Sequence, residues 1–263
     1  MGIKLSIVGG GKMGEALLGG LIASKWAEPN EISIIEPDES RLKELQGKYE
    51  GAIFSKEILP SAKFLLAVKP QIVASICQQL AEMKPELVIS IAAGVTTRAI
   101  EKELPEKTPV IRVMPNTPSM IGKGMAAIAA GSSAGKDHLD WASSILSAVG
   151  EVVVVDETTL DAVTGLSGSG PAYLFLLAEA MIASGIENGL DPTVADVLTR
   201  QTLLGASSLL SSSGVSPSDL RNSVTSPNGT TAAAIDHLDK NQFTEIIIAA
   251  ISKATSRSKE LGE

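Results

Sequence analysis

Gly9, Gly11 and Gly14 stand at the spacing Gly-x-Gly-x-x-Gly, inside the stretch Ile3-Lys4-Leu5-Ser6-Ile7-Val8-Gly9-Gly10-Gly11-Lys12-Met13-Gly14. An apolar, strand-like run stops at the glycines and passes directly into Glu15-Ala16-Leu17-Leu18, which reads as a helix. In that setting the first glycine permits a tight turn and the second lets a pyrophosphate approach the backbone. The third lets the helix pack on the strand. Free N–H groups at the helix start, and the helix dipole, favour a phosphate anion. The pattern predicts dinucleotide binding; a glycine turn that only allows close packing is the plainer alternative.

A second stretch that could do chemistry is Val224-Thr225-Ser226-Pro227-Asn228-Gly229-Thr230-Thr231-Ala232-Ala233-Ala234-Ile235. Pro, Asn and Gly make a turn, and Thr230 or Thr231 is suited to cap the following helix. An ordinary capped helix start is one reading. The other is an anion site whose hydroxyls and N–H groups meet a substrate carboxylate. What the second half lacks is also informative: from Leu139 to Thr199 there is no Lys, Arg or His. Oxidation of an alcohol needs a general base for the hydroxyl, and the long helix predicted from Pro171 to Asn188 offers none. Reduction of a C=N bond fits better, because an imine nitrogen is basic enough to arrive protonated. The chain then needs only to position it and offer a hydrogen bond, for which Thr231 is a candidate.

These residues need elements to hold them. Apolar strand-like runs at Ile32–Ile35, Ala52–Phe54, Phe64–Val68, Leu87–Ala92 and Val110–Val113 alternate with helical segments, including Glu15–Ser24 and Glu39–Tyr49. Such alternation predicts an α/β fold with a Rossmann-type doubly wound sheet, whose ligands bind beyond the carboxyl ends of the strands. Gly124–Ala130 and Val152–Val155 read as further strands around a helix from Lys136 to Ala148. Past Asp156 the texture turns helical, so a dinucleotide-binding domain is expected over residues 1–156 and an all-α domain over 157–263. The helix from Pro171 is apolar nearly all round, which predicts burial inside the domain and against a second subunit. A membrane span is disfavoured by Glu179, Gly185 and the lack of basic flanks. Pro192–Ser211 and Phe243–Leu261 complete the helical set.

A chain of 263 residues is long enough for a substantial core, and a net charge of −8 argues against a nucleic-acid partner. Cys77 is the only cysteine and there are two histidines, so no metal site is expected and a cytoplasmic setting is natural. His138 and His237 lie in polar helical settings and are expected to be exposed. Lys69 could reach a cofactor or simply face solvent, and Arg112 could serve the site or a subunit contact.

Several blocks together resemble the pyrroline-5-carboxylate reductase family. They are the glycine turn, Ala67-Val68-Lys69-Pro70-Gln71, Ser90-Ile91-Ala92-Ala93-Gly94, Arg112 to Pro118, Thr164 to Tyr173, and Val224 to Thr231. They run through the chain in family order. The resemblance implies reduction of 1-pyrroline-5-carboxylate to L-proline by NAD(P)H, the final step of proline synthesis, in a homodimer with decamers common. It implies cofactor contacts at Gly9, Gly11, Lys12, Met13, Gly14, Glu36, Ala67, Val68, Lys69, Pro70, Ala92 and Asn116. The substrate carboxylate would lie on Ser226, Gly229, Thr230 and Thr231, with the Thr231 hydroxyl at the imine nitrogen and a partner subunit completing the pocket.

Glu36 departs from many members of that family, which carry small polar or basic residues there. A carboxylate at the end of the second strand suits a ribose diol. Against a 2′-phosphate about 4 Å away it would be repulsive by several kcal/mol at an effective dielectric near 20. NADH preference is therefore expected, the plainer reading being an exposed acidic helix start beside Asp38 and Glu39. Two rivals stand beside the main reading: another imine or carbonyl reductase of the same build, and a redox-sensing dinucleotide-binding module without turnover.

Overall fold

In the computed structural model, which describes residues 2–262, the apolar runs of the first half become strands of one sheet. β1 (Leu5–Val8) leads through the glycine turn into α1 (Lys12–Ala23), and β2 (Ile32–Ile35) into α2 (Glu39–Lys48). β3 (Ile53–Ser55) and β4 (Lys63–Leu66) follow, then α3 (Val73–Ala81), β5 (Leu87–Ser90) and the short α4 (Thr97–Glu101). β6 (Val110–Met114), β7 (Gly124–Ala130), α5 (Lys136–Leu146) and β8 (Gly150–Val154) complete the series. The eight strands run in the order β3-β2-β1-β4-β5-β6-β7-β8. Every pairing is parallel except β6 with β7. That exception follows from the connection, a 3-10 turn over Thr117–Ile121 that is too short for a parallel crossover.

Alternate residues of each strand feed opposite faces of the sheet. On one face Leu5, Ile7 and Leu65 pack with Leu17, Leu18 and Leu21 of α1 and with Ala142 and Ile145 of α5. On the other, Val8, Phe64 and Leu66 pack with Val73, Cys77 and Leu80 of α3 and with Ile100 of α4. Both faces are thus sealed by the chain's own helices, as an all-apolar strand requires.

The following segment stays with the sheet. After a 3-10 turn at Glu157–Thr159 come α6 (Leu160–Val163) and a π turn at Thr164–Gly168. Arg112 of β6 is only 6% exposed and is held by Glu157 at 3.3 Å and Asp161 at 3.9 Å. Glu157 also accepts from the Thr97 N–H at 2.7 Å and hydroxyl at 2.6 Å, so the buried cation has a satisfied partner. Arg112 is an internal tie.

By packing, the chain divides into a unit reaching to Ser169, which residues from Ser252 onward rejoin, and a second unit over Gly170–Ile251. This division falls later than the change of texture at Asp156. The reason is physical: Leu160 is buried against Ala127 and Ala129 of β7, and Ser258 donates to Asp161 at 2.6 Å.

The second unit is helical: α7 (Gly170–Glu187), α8 (Pro192–Ser213), α9 (Pro217–Ser223), α10 (Thr230–Lys240) and the first part of α11 (Phe243–Gly262), up to Ile251. Asp191 caps α8 by accepting from Thr193 at 2.8 Å, and Gly214 at φ +66° ends it. α7 and α8 approach closely, since a Cβ added to Gly185 would lie 3.1 Å from that of Ala195. The expected burial of the Pro171 helix inside its own domain is not met: α7 has no buried residue, and Phe175 and Leu176 are 62% and 66% exposed. Four slim helices cannot wrap a rod that is apolar on every side. The continuous helix Glu157–Glu187 is long and apolar enough to cross a membrane by length and composition alone, and a single such helix is weak evidence for one.

Candidate active site

The nucleotide half grows from the ends of β1, β2, β4 and β5. Gly9 turns at φ +111°, and a Cβ there would lie 2.4 Å from the Ala67 carbonyl oxygen. Gly14 is equally constrained, its added Cβ falling 2.0 Å from the Gly9 carbonyl oxygen. Gly11 differs: a side chain there would meet nothing of the protein within 4 Å. Its lack of a side chain answers no need of the chain's own packing, which fits the approach of an outside group. Helix α1 begins without a side-chain cap, and its first backbone bond runs from the Glu15 N–H to the Gly11 carbonyl at 2.9 Å. The amides of Lys12, Met13 and Gly14 thereby remain for an anion.

Beside this turn lies a cleft of about 820 Å³ lined by Gly9, Ile35, Pro37, Ile58, Val68 and Ile72 among others. Its size, with apolar walls interrupted by polar residues such as Lys56, Ser75 and Gln79, suits a nucleoside. Glu36, between the lining residues Ile35 and Pro37, is half-buried, with Oε2 accepting from the Gly10 N–H and Oε1 from the Asp38 N–H, both at 2.9 Å. The carboxylate is therefore held in place, unlike the freely exposed acid of the plainer reading.

The remaining expected cofactor residues cluster at the same strand ends. Ala67 and Val68 follow β4, with the Ala67 N–H donating to the Val8 carbonyl at 2.8 Å. Lys69 and Pro70 open a 3-10 turn, and the Lys69 side chain is exposed. Ala92 is buried after β5, its N–H directed to the Ser90 hydroxyl at 3.3 Å. The Asn116 side chain is committed to the fold, and the residue's main-chain carbonyl accepts from the Ser119 N–H at 3.2 Å. Oδ1 accepts from the Met125 N–H at 2.9 Å, and Nδ2 donates to the Ser167 carbonyl at 3.3 Å. That carbonyl sits four residues before Pro171, which has no N–H to offer it. His138 is half-buried rather than exposed, because its Nδ1 accepts the Gly135 N–H at 3.0 Å and caps α5.

Arg41 is a residue that sequence reasoning passed over as part of a charged helix. Its Nε donates to the Gly10 carbonyl at 2.7 Å, placing a guanidinium against the glycine turn. No local signal marks Arg41 out, because Gly10 and Glu15 lie 31 and 26 residues away in sequence.

In the second unit the expected substrate residues also come together. A turn is closed by the Gly229 N–H on the Ser226 carbonyl at 3.0 Å, with Asn228 at φ +59°. Gly229 itself is the N-cap of α10, and neither threonine caps the helix as expected. Thr230 and Thr231 are its first two helical residues, too far along to turn back on its free amides. A Cβ at Gly229 would lie 2.4 Å from the Ser226 hydroxyl and 3.1 Å from its carbonyl oxygen, so a larger residue would make the Ser226 side chain move. Ser226 and Thr230 are exposed and Thr231 is half-buried. The first backbone bond of α10 runs from the Ala233 N–H to the Gly229 carbonyl at 3.1 Å. It leaves the amides of Thr230, Thr231 and Ala232 for an acceptor. His237 is exposed on α10 and holds only Asn241, whose Nδ2 donates to its carbonyl at 2.7 Å.

Comparison with known proteins places this architecture. Residues 157–261 match the family model for pyrroline-5-carboxylate reductase dimerisation, and residues 4–94 that for NADP oxidoreductase, coenzyme F420-dependent. A pyrroline-5-carboxylate reductase of Synechocystis is 44% identical over all of this chain and all of its own length. The solved pyrroline-5-carboxylate reductase of Coxiella burnetii superposes with a TM-score of 0.93 at 37% identity, covering 99% of this chain and 98% of its own. The Plasmodium falciparum enzyme, solved with NADP bound, gives 0.86 at 26% identity over 99% and 98%. The chain belongs to the pyrroline-5-carboxylate reductase family.

Proposed function

We propose that this protein reduces 1-pyrroline-5-carboxylate to L-proline with a reduced nicotinamide dinucleotide, the last step of proline biosynthesis. One observation carries the reading. The turn before α10 offers free amides and the hydroxyls of Ser226, Thr230 and Thr231, with no ionisable side chain anywhere from Val224 to Ile235. Such a site accepts a small carboxylate and lacks the acid or base that an alcohol substrate needs. The reduced nicotinamide supplies a hydride to the imine carbon. The imine nitrogen brings its own proton, and the Thr231 hydroxyl holds that nitrogen in line. The experiment follows the loss of reduced-nicotinamide absorbance on adding pyrroline-5-carboxylate, then repeats it with Thr231→Ala. Turnover in the parent and a large fall in the variant are expected. No turnover in the parent would revive the redox-sensing reading, and unchanged kinetics in the variant would remove Thr231 from its role.

Gly9 to Gly14, Ala67 to Pro70, Ala92 and the Asn116 main chain are assigned to the cofactor. Glu36 is assigned to the adenosine ribose diol, which favours NADH. The P. falciparum relative was solved with NADP, so the preference rests on Glu36 being fixed beside Gly10 in this chain. Rates with the two cofactors test it, and a clear NADPH preference would refute it.

The active form is a homodimer, with decamers a further step. Support comes from the match to a dimerisation model and from the exposed apolar side of α7. The lone thiol, Cys77, is buried, and burial followed by the nearby Glu103 pushes its pKa up to about 11. So inert a cysteine suits a cytoplasmic enzyme.

A further inference from the structure

We infer that Glu15 and Glu44 set cofactor specificity by occupying the Arg41 guanidinium that would otherwise meet a ribose 2′-phosphate. The inference rests on the reading above that the cleft takes a nicotinamide dinucleotide with its adenosine ribose at Glu36.

Glu36 and Arg41 grip the same residue from opposite polar groups: the carboxylate takes the Gly10 N–H and the guanidinium Nε donates to the Gly10 carbonyl. Gly10 is boxed in between them, since an added Cβ would fall 2.8 Å from Leu45 Cδ1 and 3.1 Å from Glu36 Oε2. A guanidinium in that position is the group best shaped to receive a 2′-phosphate. Here its other nitrogens are taken. Nη2 donates to Glu15, across from α1, and Nη1 to Glu44 Oε2 at 2.7 Å on its own helix. Lys48 is drawn into the same cluster, at 2.7 Å from Glu44 and 3.2 Å from Glu15. Among the described residues Arg41 makes no ion pair with Glu36.

The cluster is well shielded for a surface feature, with the Arg41 and Glu15 side chains 22% and 20% exposed. The bonds to Glu15 and then Glu44 raise the Arg41 pKa further, and those from Lys48 and then Arg41 bring Glu44 down to about 2. Both carboxylates are thus charged near neutral pH. A 2′-phosphate would have to compete with them for Arg41 while also facing Glu36. A ribose diol needs no cation and meets no such competition.

The test is calorimetric binding of NADH, NADPH and adenosine 2′,5′-bisphosphate to the full chain, with thermal melts as a check on folding. The double variant Glu15→Gln/Glu44→Gln keeps side-chain size and removes both charges. NADPH and the bisphosphate are expected to bind roughly tenfold more tightly to it while NADH changes little. Adding Arg41→Ala should cancel the gain, because the guanidinium is the group released. If the double variant melts early, Glu44→Gln alone, at a more exposed position, should give roughly a threefold gain. NADPH affinity that stays put in a variant still binding NADH would overturn the proposal. So would a gain that survives the loss of Arg41, which would mark a general field effect. If the parent chain binds no dinucleotide at all, the cofactor reading itself falls.

Discussion

The sheet unit and the helical unit treat their apolar surface in opposite ways. The first covers both faces of its sheet with its own helices, leaving Leu5, Ile7, Phe64 and Leu65 with no exposure at all. In the second, only Ala195 and Thr199 of α8 are buried among the described residues, while Phe175, Leu176, Leu198 and Leu204 are each more than half exposed. Parallel strands cannot exist without crossover helices, so their sequence carries its own cover. A rod of helix apolar on every side gains stability only from surfaces outside its own unit, and a patch this large marks an interface. One unit covers its apolar surface with its own chain, whereas the other leaves much of its apolar surface exposed.

That contrast breaks most visibly if a charge is placed on α7. Phe175→Asp would force a carboxylate into the proposed dimer face at a cost of several kcal/mol. Sedimentation or light scattering should show monomers, and the unfolding midpoint should lose its dependence on protein concentration. A dimer that persists would put the interface elsewhere. Leu65→Ala probes the closed unit. A cavity under the sheet should cost about 2–5 kcal/mol in denaturant unfolding, with the oligomeric state unchanged.

Chemistry should separate from stability at the start of α10. Thr231→Ala is expected to lower kcat by roughly a hundredfold, the scale of losing one hydrogen-bonding group at a reacting centre, with an unchanged melting temperature. A fall in both together would make Thr231 a structural residue.

The smallest effect concerns the charged cluster on the sheet unit. Lys48 and Arg41 hold the Glu44 carboxyl at about 2, below its ordinary 4.5. Glu15 is also lowered, burial working against this and the Arg41 and Lys48 bonds prevailing. Carboxylates depressed in the folded state contribute fully above about pH 4.5, and the contribution drains away as pH falls toward 2. Melts across that window should show a slightly steeper acid loss in the parent than in Glu15→Gln/Glu44→Gln. Parallel curves would mean the cluster adds nothing to stability.

How much of this was readable beforehand differs between the units for the same reason. Runs such as Leu87–Ser90 are apolar because they are sandwiched, so composition reports the strand directly. The chemistry of Gly9 and Gly14 was legible too, since each answers a backbone contact at the motif's own spacing. Strand ends were less so: the run expected over Phe64–Val68 stops at Leu66, and Val68 lines the cleft instead of continuing the strand. Antiparallel β7 depended on the length of one connection, and no residue type announces that. Asn116 and Arg41 could not be assigned from sequence. The first is tied to Met125 and Ser167 and the second to Gly10 and Glu15, partners that only folding brings near. The cap of α10 was misassigned because threonine and glycine are both good caps, and in the folded chain Gly229 takes that place.

Hydride transfer to a cyclic imine is read most directly by isotopic labelling. The protein is incubated with pyrroline-5-carboxylate and NADH carrying deuterium at the transferable position, and the product is analysed by mass spectrometry. L-proline bearing one deuterium at the former imine carbon is the predicted result. Unlabelled proline, or NADH left unconsumed beside intact substrate, would contradict it.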